Sequence, residues 1–344
     1  MNGSDGAVND AGGDQVGGGR SSPRFDTISR IRRAVTSVVV GNEDALDQLL
    51  IALLCRGHVL VEDVPGVGKT LLARSLASVL GCDFARIQLT PDVLPSDITG
   101  SNVFNQRSAE FEFRPGPIFT QILLADEINR ATPRSQSALL EAMEERQVTS
   151  DGVTHRLEEP FFLLATQNPI ELEGTFPLPE AQLDRFLLRV TLGYPSEEDE
   201  FEILRRFEHD ADAVLEPVTN STELVELQRQ RASVLVSDDV RSYLVAVARE
   251  TRTDPRLRLG ASPRATLALH RACQARALLH DRDYVLPDDV KALAVPVLAH
   301  RLILDPAARL RGTSTEEILA EIVERLAVPV EDERDGEAVV AGGG

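Results

Sequence analysis

The sequence contains no tryptophan, only three cysteines and only two lysines, Lys69 and Lys291, among its 36 basic residues. The cysteines, Cys55, Cys82 and Cys273, are scattered and odd in number, so a framework of disulfides is not expected. No C-x-x-C pair or closely spaced set of histidines and cysteines indicates a zinc site.

Long apolar runs are also missing. The longest covers residues 49–55, far short of the roughly 18 residues that a membrane-spanning helix needs. The N-terminus has no apolar segment typical of a signal peptide. We therefore expect a cytoplasmic protein without a membrane span.

The charge is strongly one-sided, because 36 basic against 55 acidic residues give a formal net charge of −19. Such a surface repels a phosphate backbone, so sequence-independent binding to nucleic acid is not expected. An acidic excess is typical of proteins that stay soluble in concentrated salt, where repulsion is screened over about 3 Å at 1 M. The composition therefore predicts an intracellular protein from a halophilic source, and we expect a halophilic archaeon.

The length of 344 residues predicts about two domains, and 42% apolar residues can build their cores. Residues 1–24 and 329–344 are rich in glycine and acidic residues and are predicted to be disordered tails. Between them, strand and helix patterns alternate over 25–195, and helical patterns alone follow over 196–328. The sequence thus predicts an α/β core followed by an all-helical domain.

A short strand over 58–62 leads into a glycine-rich turn, which opens a helix beginning with Lys69 and Thr70. Such a turn leaves backbone N–H groups free at the positive end of the helix dipole, where they can hold phosphate. Lys69 would reach the β- and γ-phosphates of ATP, and Thr70 would hold Mg2+. The predicted nucleotide-binding stretch consists of Val64, Pro65, Gly66, Val67, Gly68, Lys69, Thr70 and Leu71.

One position departs from the phosphate-loop motif G-x-x-x-x-G-K-[ST], since Asp63 stands at its first glycine. We interpret Asp63 as the residue leaving the strand, with its side chain turned away from the phosphates. The alternative for the whole segment is that Gly68, Lys69 and Thr70 only begin a helix and bind no ligand.

Polar residues follow two further predicted strands. Asp126 and Glu127 end the apolar run over 121–125, and Asn168 follows the strand over 160–166. Ligands of open α/β sheets bind at these strand ends. Asp126 would hold Mg2+, Glu127 would polarise a water for attack on the γ-phosphorus, and Asn168 would orient that water. The alternatives are solvated acids and an asparagine that only begins the turn before Pro169.

Two candidate residues lie apart from these strands. Gly41 precedes a predicted helix over 43–55 and could approach an adenine ring, although plain helix packing explains it equally well. Arg264 follows Ser262, a good N-cap, and Pro263. A cation is unfavourable in a first helical turn, so we expect Arg264 to face an anion, the γ-phosphate. A solvent-exposed arginine is the alternative.

Two hairpins interrupt the α/β pattern, over 99–119 and over 147–155. The aromatic residues of the first hairpin are Phe104, Phe111 and Phe113. They are interpreted as packing residues or as part of a contact surface.

Six segments in order, the phosphate loop, 124–131, 136–145, 165–169, 178–186 and 260–264, resemble the MoxR family of AAA+ ATPases over about residues 28–326. The resemblance implies a five-stranded parallel αβα AAA+ core with a helical lid and the cofactors ATP and Mg2+. It identifies Asp126 and Glu127 with the second nucleotide motif, Asn168 with the first sensor and Arg264 with the lid sensor. It identifies the two hairpins with the helix-2 insert and with the hairpin before the first sensor.

The resemblance also identifies Arg185 with the arginine finger, which acts on the ATP of a neighbouring subunit. It therefore implies a homo-oligomer, a hexameric ring. Arg189 is the rival finger but lies inside a predicted strand.

Family members are chaperone-like motors that remodel partners, often proteins with von Willebrand factor A domains. The alternative is a motor that remodels or translocates DNA, for which basic hairpin tips are expected. The tips carry Arg107 alone and 150–152 without a cation, so protein clients are favoured.

Overall fold

The computed structural model describes residues 22–170, 174–209 and 215–328. The predicted tails lie outside these ranges, apart from residues 22–24. These three residues correct the predicted tail boundary, because Ser22 caps the first helix and accepts a hydrogen bond from the Phe25 N–H. Arg24 also pairs with Asp283 in the helical part of the chain. A cap and an ion pair thus hold residues whose composition alone predicts disorder.

The described part of the chain alternates helices and strands up to residue 190 and is mainly helical beyond it. The strands are β1 (Val59–Glu62), β2 (Phe84–Gln88), β3 (Gly100–Asn105), β4 (Glu110–Pro115), β5 (Ile122–Asp126), β6 (Gln147–Ser150), β7 (Val153–Arg156), β8 (Phe162–Gln167), β9 (Leu188–Val190), β10 (Leu257–Leu259) and β11 (Ile303–Leu304). The first six helices are α1 (Pro23–Thr36), α2 (Glu43–Leu54), α3 (Lys69–Leu80), α4 (Pro95–Thr99), α5 (Pro133–Glu145) and α6 (Glu180–Leu183). The others are α7 (Glu197–His209), α8 (Ser221–Arg231), α9 (Asp238–Thr253), α10 (Pro263–Leu279), α11 (Pro287–Leu298), α12 (Pro306–Leu310) and α13 (Thr315–Arg325).

A five-stranded sheet in the order β2-β5-β8-β1-β9 forms the core, and its neighbouring strands are parallel. β5 is buried along its whole length, as expected for a continuous apolar run between two helical layers. The predicted five-stranded parallel sheet is confirmed. Because β5, β8 and β1 are adjacent, the loops that follow them meet at one edge.

The two faces of the sheet pack into different apolar clusters. Leu124 and Leu164 belong to a cluster with α1, α2, α3 and much of the helical domain. Their neighbours Ala125 and Ala165 belong to the cluster around α5. Successive strand residues point to opposite faces, so this alternation produces the αβα layers.

The two predicted hairpins are present as β3–β4 and β6–β7. Phe113 stacks on His155 with ring centroids 3.9 Å apart, which joins one hairpin to the other. Phe104 and Phe111, in contrast, contact each other and are 50% and 72% exposed. The hairpin aromatics are therefore divided between packing and an exposed surface.

The helical domain contains one feature that its sequence pattern does not predict. β10 and β11 form a short antiparallel pair between α9, α10 and the segment before α12. Leu257 lies opposite Leu304 in this pair. The backbone that follows α9 is thus hydrogen-bonded to the segment before α12. The predicted helical domain is confirmed, and this short strand pair is an addition to its helices. None of the described helices is long and apolar enough to cross a membrane.

Candidate functional site

A cavity of about 240 Å³ lies at the edge of the sheet where β1, β5 and β8 end. Its lining combines residues from the phosphate loop with residues from β2, β5 and β8. They are Asp63, Pro65, Gly66, Gly68, Lys69, Thr70, Leu71, Arg86, Gln88, Asp126, Glu127, Thr166 and Asn168.

The phosphate loop has the backbone conformation that its glycines predict. Gly66 and Gly68 have φ of 90° and 87°, and a Cβ atom at either position would meet nothing within 4 Å. Glycine is therefore needed at both positions for its backbone conformation and not for lack of space, since only glycine adopts such angles without strain. Gly68 is the N-cap of α3 and makes no side-chain capping bond. The first residues of α3, Lys69, Thr70 and Leu71, line the cavity, so the unpaired N–H groups of this helix start form a candidate anion site.

The Lys69 ammonium lies folded back on this loop. Its Nζ atom donates to the carbonyl oxygens of Asp63 and Val64, each at 3.0 Å. Burial lowers the pKa of Lys69, while the charges of Asp63, Asp126 and Glu127 act in the opposite direction. A phosphate oxygen in the cavity could replace the two carbonyls as the acceptor of this charge.

Asp126 ends β5, and its two carboxylate oxygens have different partners. Oδ1 accepts from the Thr166 hydroxyl at 3.1 Å, and Oδ2 accepts from Arg86 Nε at 2.6 Å. Mg2+ prefers oxygen ligands and often takes only one or two from the protein. Asp126 and Thr70 line the same cavity and carry oxygen donors, so these residues fit Mg2+.

Glu127 has an unusual backbone for a residue with a side chain, with φ of 58°. Its N–H donates to the Thr166 hydroxyl at 2.9 Å, and its carboxylate pairs with Arg130 at 3.1 Å. Positive φ in a residue other than glycine is sparse and concentrates at functional sites. Glu127 lines the same cavity as Lys69.

Asn168 lies at the cavity and also begins a turn. It lines the cavity, and its Oδ1 atom accepts from the Ile170 N–H at 3.1 Å, which forms the turn at Pro169. Its strand β8 is adjacent to β5, with Ala125 opposite Ala165.

Some predicted nucleotide contacts are not part of this cavity. Of the described residues, Gly41, Val64 and Val67 are absent from its lining. Gly41 has φ of 75°, and a Cβ atom there would lie 2.5 Å from Asp199 Oδ2. The glycine is thus required by its contact with the segment that begins α7, which supports the packing interpretation.

Arg185 and Arg264 lie together in a second cavity, of about 260 Å³. Arg185 Nη1 is 2.9 Å from Glu144 Oε2, and Arg264 Nη1 is 3.1 Å from Glu144 Oε1. The anion that faces Arg264 within its own chain is thus a carboxylate, and Arg264 does not line the cavity of the phosphate loop. The expectation that Arg264 faces the γ-phosphate is not met inside one chain. Arg189 pairs instead with Glu62 and Glu316, as a structural residue would.

The charged residues that line the second cavity are mostly cationic. It has the acidic residues Glu144 and Asp184 and six arginines, Arg56, Arg146, Arg185, Arg264, Arg271 and Arg301. Burial lowers the pKa of Arg301 to about 10, while the charge of Asp184 opposes that shift. This local excess of arginine contrasts with the net charge of −19 of the whole chain.

Sequence reasoning missed Arg86, Gln88 and Thr166. Arg86 and Gln88 alternate along β2 and so share the face of the strand that leads to the cavity. Thr166 is buried at the end of β8, where a hydroxyl stands after an apolar run. A hydroxyl residue that ends an apolar run directly before Gln167 and Asn168 is the sequence feature that points to Thr166.

Two family models match the chain. The first, described as the ATPase family associated with various cellular activities (AAA), matches residues 58–188. The second, an AAA lid domain, matches residues 249–322. The first match contains the phosphate loop, both acids and Asn168, and the second contains Arg264.

Relatives align along nearly the whole chain. Uncharacterized protein YeaC of Bacillus subtilis is 52% identical over 299 residues, which are 86% of this chain and 93% of that protein. Chaperone MoxR1 of Mycobacterium tuberculosis is 40% identical over 343 residues, covering 93% of this chain and 91% of that protein. The chain belongs to the MoxR family of AAA+ ATPases.

A solved structure agrees with this MoxR fold. The crystal structure of a proposed ATPase from Cytophaga hutchinsonii superposes with a TM-score of 0.84 at 38% identity. The superposition covers 89% of this chain and 96% of the Cytophaga hutchinsonii chain. The superposition therefore includes most of the AAA core and of the lid of this MoxR protein.

Proposed function

We propose that this MoxR protein hydrolyses ATP to ADP and phosphate in the phosphate-loop cavity. The observation that carries the proposal is that one cavity is lined by Lys69, Thr70, Asp126, Glu127 and Asn168. Phosphoryl transfer to water requires positioning and charge stabilisation rather than covalent chemistry. These five side chains supply a cation, two magnesium ligands, a base and a group that orients water.

Each residue has a defined part in this reaction. The N–H groups at the start of α3 and the Lys69 ammonium bind the phosphates. Asp126 and Thr70 would hold Mg2+, which would supply positive charge to offset the charge of the phosphates. Glu127 accepts a proton from the attacking water, and Asn168 orients that water.

The arginine pair completes the site from another subunit. Arg185 and Arg264 share Glu144 and line a different cavity from the phosphate loop, which supports the assignment of both to a neighbour's ATP. A head-to-tail contact of this kind generates a ring when the rotation closes. We propose a hexameric ring in which Arg185 acts as the finger.

The ring acts on protein clients, which we take to be von Willebrand factor A domain proteins. The relative named Chaperone MoxR1 supports a chaperone-like role. The exposed pair Phe104 and Phe111 on the β3–β4 hairpin supports contact with proteins. Phosphate contacts with DNA would need clustered cations, and Arg107 is the basic residue at this hairpin's tip.

The test is Mg2+-dependent phosphate release, measured in molar KCl at several protein concentrations for the unsubstituted protein and Glu127→Gln. We expect Glu127→Gln to lower kcat at least about 100-fold, because general-base catalysis contributes 10² to 10⁴. Its affinity for a fluorescent ATP analogue should stay within about threefold, since Glu127 acts on water rather than on phosphate.

The matched control is Glu324→Gln, the same substitution at an exposed position of α13. This variant should hydrolyse ATP at the unsubstituted rate. Equal hydrolysis by the Glu127 and Glu324 variants would contradict the proposed role of Glu127.

A further inference from the structure

Asp63 occupies the position at which the phosphate-loop motif has its first glycine, and it is a buried carboxylate, only 5% exposed. A buried charge is costly unless it is paired or fully hydrogen-bonded. The partners of this carboxylate therefore indicate what the aspartate does.

The carboxylate binds backbone far away in the sequence. Oδ2 accepts from the N–H groups of Leu192 and Gly193 at 2.7 and 2.8 Å, and Oδ1 accepts from the Val64 N–H at 2.8 Å. Leu192 and Gly193 lie in the connection 191–196, which runs from β9 to α7, the first helix after the core sheet. Charge-assisted bonds of this kind are about twice as strong as neutral ones.

The backbone of Asp63 is joined to the catalytic side of the same loop. Its carbonyl oxygen accepts from Lys69 Nζ at 3.0 Å. Its N–H donates at 3.2 Å to the carbonyl of Gln167, the residue before Asn168. Asp63 thus bonds to Lys69, to the end of β8 and to the connection 191–196.

A glycine here would keep the backbone bonds but lose the carboxylate. The N–H groups of Leu192 and Gly193 would then lose the acceptor that holds them beside the loop. The side chain of Leu192 packs on the apolar cluster that the sheet shares with the helical domain. The position of the connection is therefore set by the loop as well as by packing.

We propose that Asp63 is a positioning residue that couples the phosphate loop to the connection leading into the helical domain. The coupling rests on the proposed function, because phosphate binding draws Lys69 away from the Asp63 and Val64 carbonyls. The Asp63 peptide then relaxes, and its carboxylate transmits that change to Leu192 and Gly193. Nucleotide occupancy and the placement of the helical domain depend on each other through this residue.

The test is amide hydrogen exchange of the full chain with and without Mg-ATP, in a Glu127→Gln background that prevents turnover. Peptides that cover 64–71 report nucleotide binding, and peptides that cover 191–196 report the connection. The variants are Asp63→Gly, which restores the motif residue, and Asp63→Asn, which keeps the shape and one acceptor oxygen. Thermal unfolding verifies that each variant is folded.

With Asp63 present, we expect Mg-ATP to protect 64–71 and to change exchange at 191–196. In Asp63→Gly, the amides of residues 192 and 193 should exchange about tenfold faster or more without nucleotide, as expected for a lost charged acceptor. Protection of 64–71 should remain, but the response at 191–196 should disappear. Asp63→Asn should recover part of that response, and it carries the test if Asp63→Gly does not fold.

The matched control is Asp289→Asn, which alters another buried carboxylate, paired with Arg282 and capping the start of α11. It should leave the nucleotide response at 191–196 unchanged. An identical response in Asp63→Gly and Asp63 chains would overturn the coupling alone. Absence of protection at 64–71 in the chain with Asp63 would overturn the nucleotide site and the coupling together.

Discussion

At the scale of single residues, the Thr166 hydroxyl joins the two acids of the candidate site. It donates to Asp126 and accepts from the Glu127 N–H, and its side chain is buried. One hydroxyl therefore holds both the proposed magnesium ligand Asp126 and the backbone of the turn at Glu127. Groups that orient a metal ligand typically contribute 10- to 100-fold to affinity or activity.

We expect Thr166→Val to lower ATP hydrolysis about tenfold or more and to raise the Mg2+ concentration needed for half-maximal activity. Valine has the shape of threonine but can neither donate to Asp126 nor accept from Glu127. Thr166→Ser keeps the hydroxyl and should restore most of the activity. Magnesium titrations of phosphate release measure both effects, and an unchanged titration for Thr166→Val would contradict this role.

At the scale of elements, His58 connects the start of β1 to β8 and α5. Its Nδ1 atom accepts from the Leu163 N–H at 3.0 Å, so Nε2, 3.2 Å from the Met143 carbonyl, carries the proton and donates. The ring is therefore neutral in the folded protein. Burial, reinforced by the charge of Arg146, lowers the pKa of His58 to about 3.

This pKa predicts a loss of stability in mild acid. The unfolded chain binds a proton on His58 near pH 6.5 and the folded chain only near about 3. Stability is therefore fully present above about pH 6.5 and falls as the pH drops below it, by about 1.4 kcal/mol per unit. His58→Gln removes this proton uptake.

Urea unfolding at pH 7.5 and 5.5 measures the effect. We compare the unfolding free energy of the unsubstituted chain with that of His58→Gln at each pH. The difference between the two should be about 1.4 kcal/mol smaller at pH 5.5 than at pH 7.5. His300, whose pKa is also lowered by burial, is common to both chains and cancels. An equal advantage at both pH values would contradict a neutral buried His58.

At the scale of the whole molecule, the candidate site is divided between two surfaces of one chain. The phosphate loop opens into one cavity, and Arg185 and Arg264 line another. Mixing inactive variants tests whether these surfaces meet between subunits. Lys69→Ala and Arg185→Ala should each be inactive alone, because a trans arginine contributes about 10³ to 10⁵ to the rate.

An equimolar mixture should recover about a quarter of the unsubstituted activity, since a random ring pairs an intact loop with an intact arginine at that frequency. Lys69→Ala mixed with Arg264→Ala should behave in the same way. The control mixture of Lys69→Ala with Glu127→Gln, both altered on the nucleotide side, should stay inactive. Phosphate release that equals the sum of the separate variants would contradict a shared site.

The net charge of −19 carries a second prediction at this scale. Repulsion among acidic residues opposes the folded state in dilute buffer, and about 1 M salt shortens its range to about 3 Å. We expect the thermal unfolding midpoint and the ATPase activity to rise from dilute buffer to molar KCl. Equal stability and activity in both would contradict adaptation to concentrated salt.

The sequence by itself determined the parallel sheet and the elements that carry the candidate site. The apolar run of β5, the glycine turn before Lys69 and the Pro-initiated helix at Arg264 are local patterns, and local backbone preferences act within a few residues. The cavity formed by the loops after β1, β5 and β8 follows from strand order, because parallel strands bring these ends to one edge. The hairpins were predictable for the same local reason.

Only the tertiary structure decided which distant groups pair. Asp63 bonds N–H groups 129 and 130 positions away, Glu144 receives Arg264 from 120 positions away, and the buried hydroxyl of Thr166 reaches Asp126 across the sheet. No local propensity records such pairs, since they depend on how layers pack rather than on the period of one element. Asp63 and Arg264 thus acquire their partners only when the chain folds.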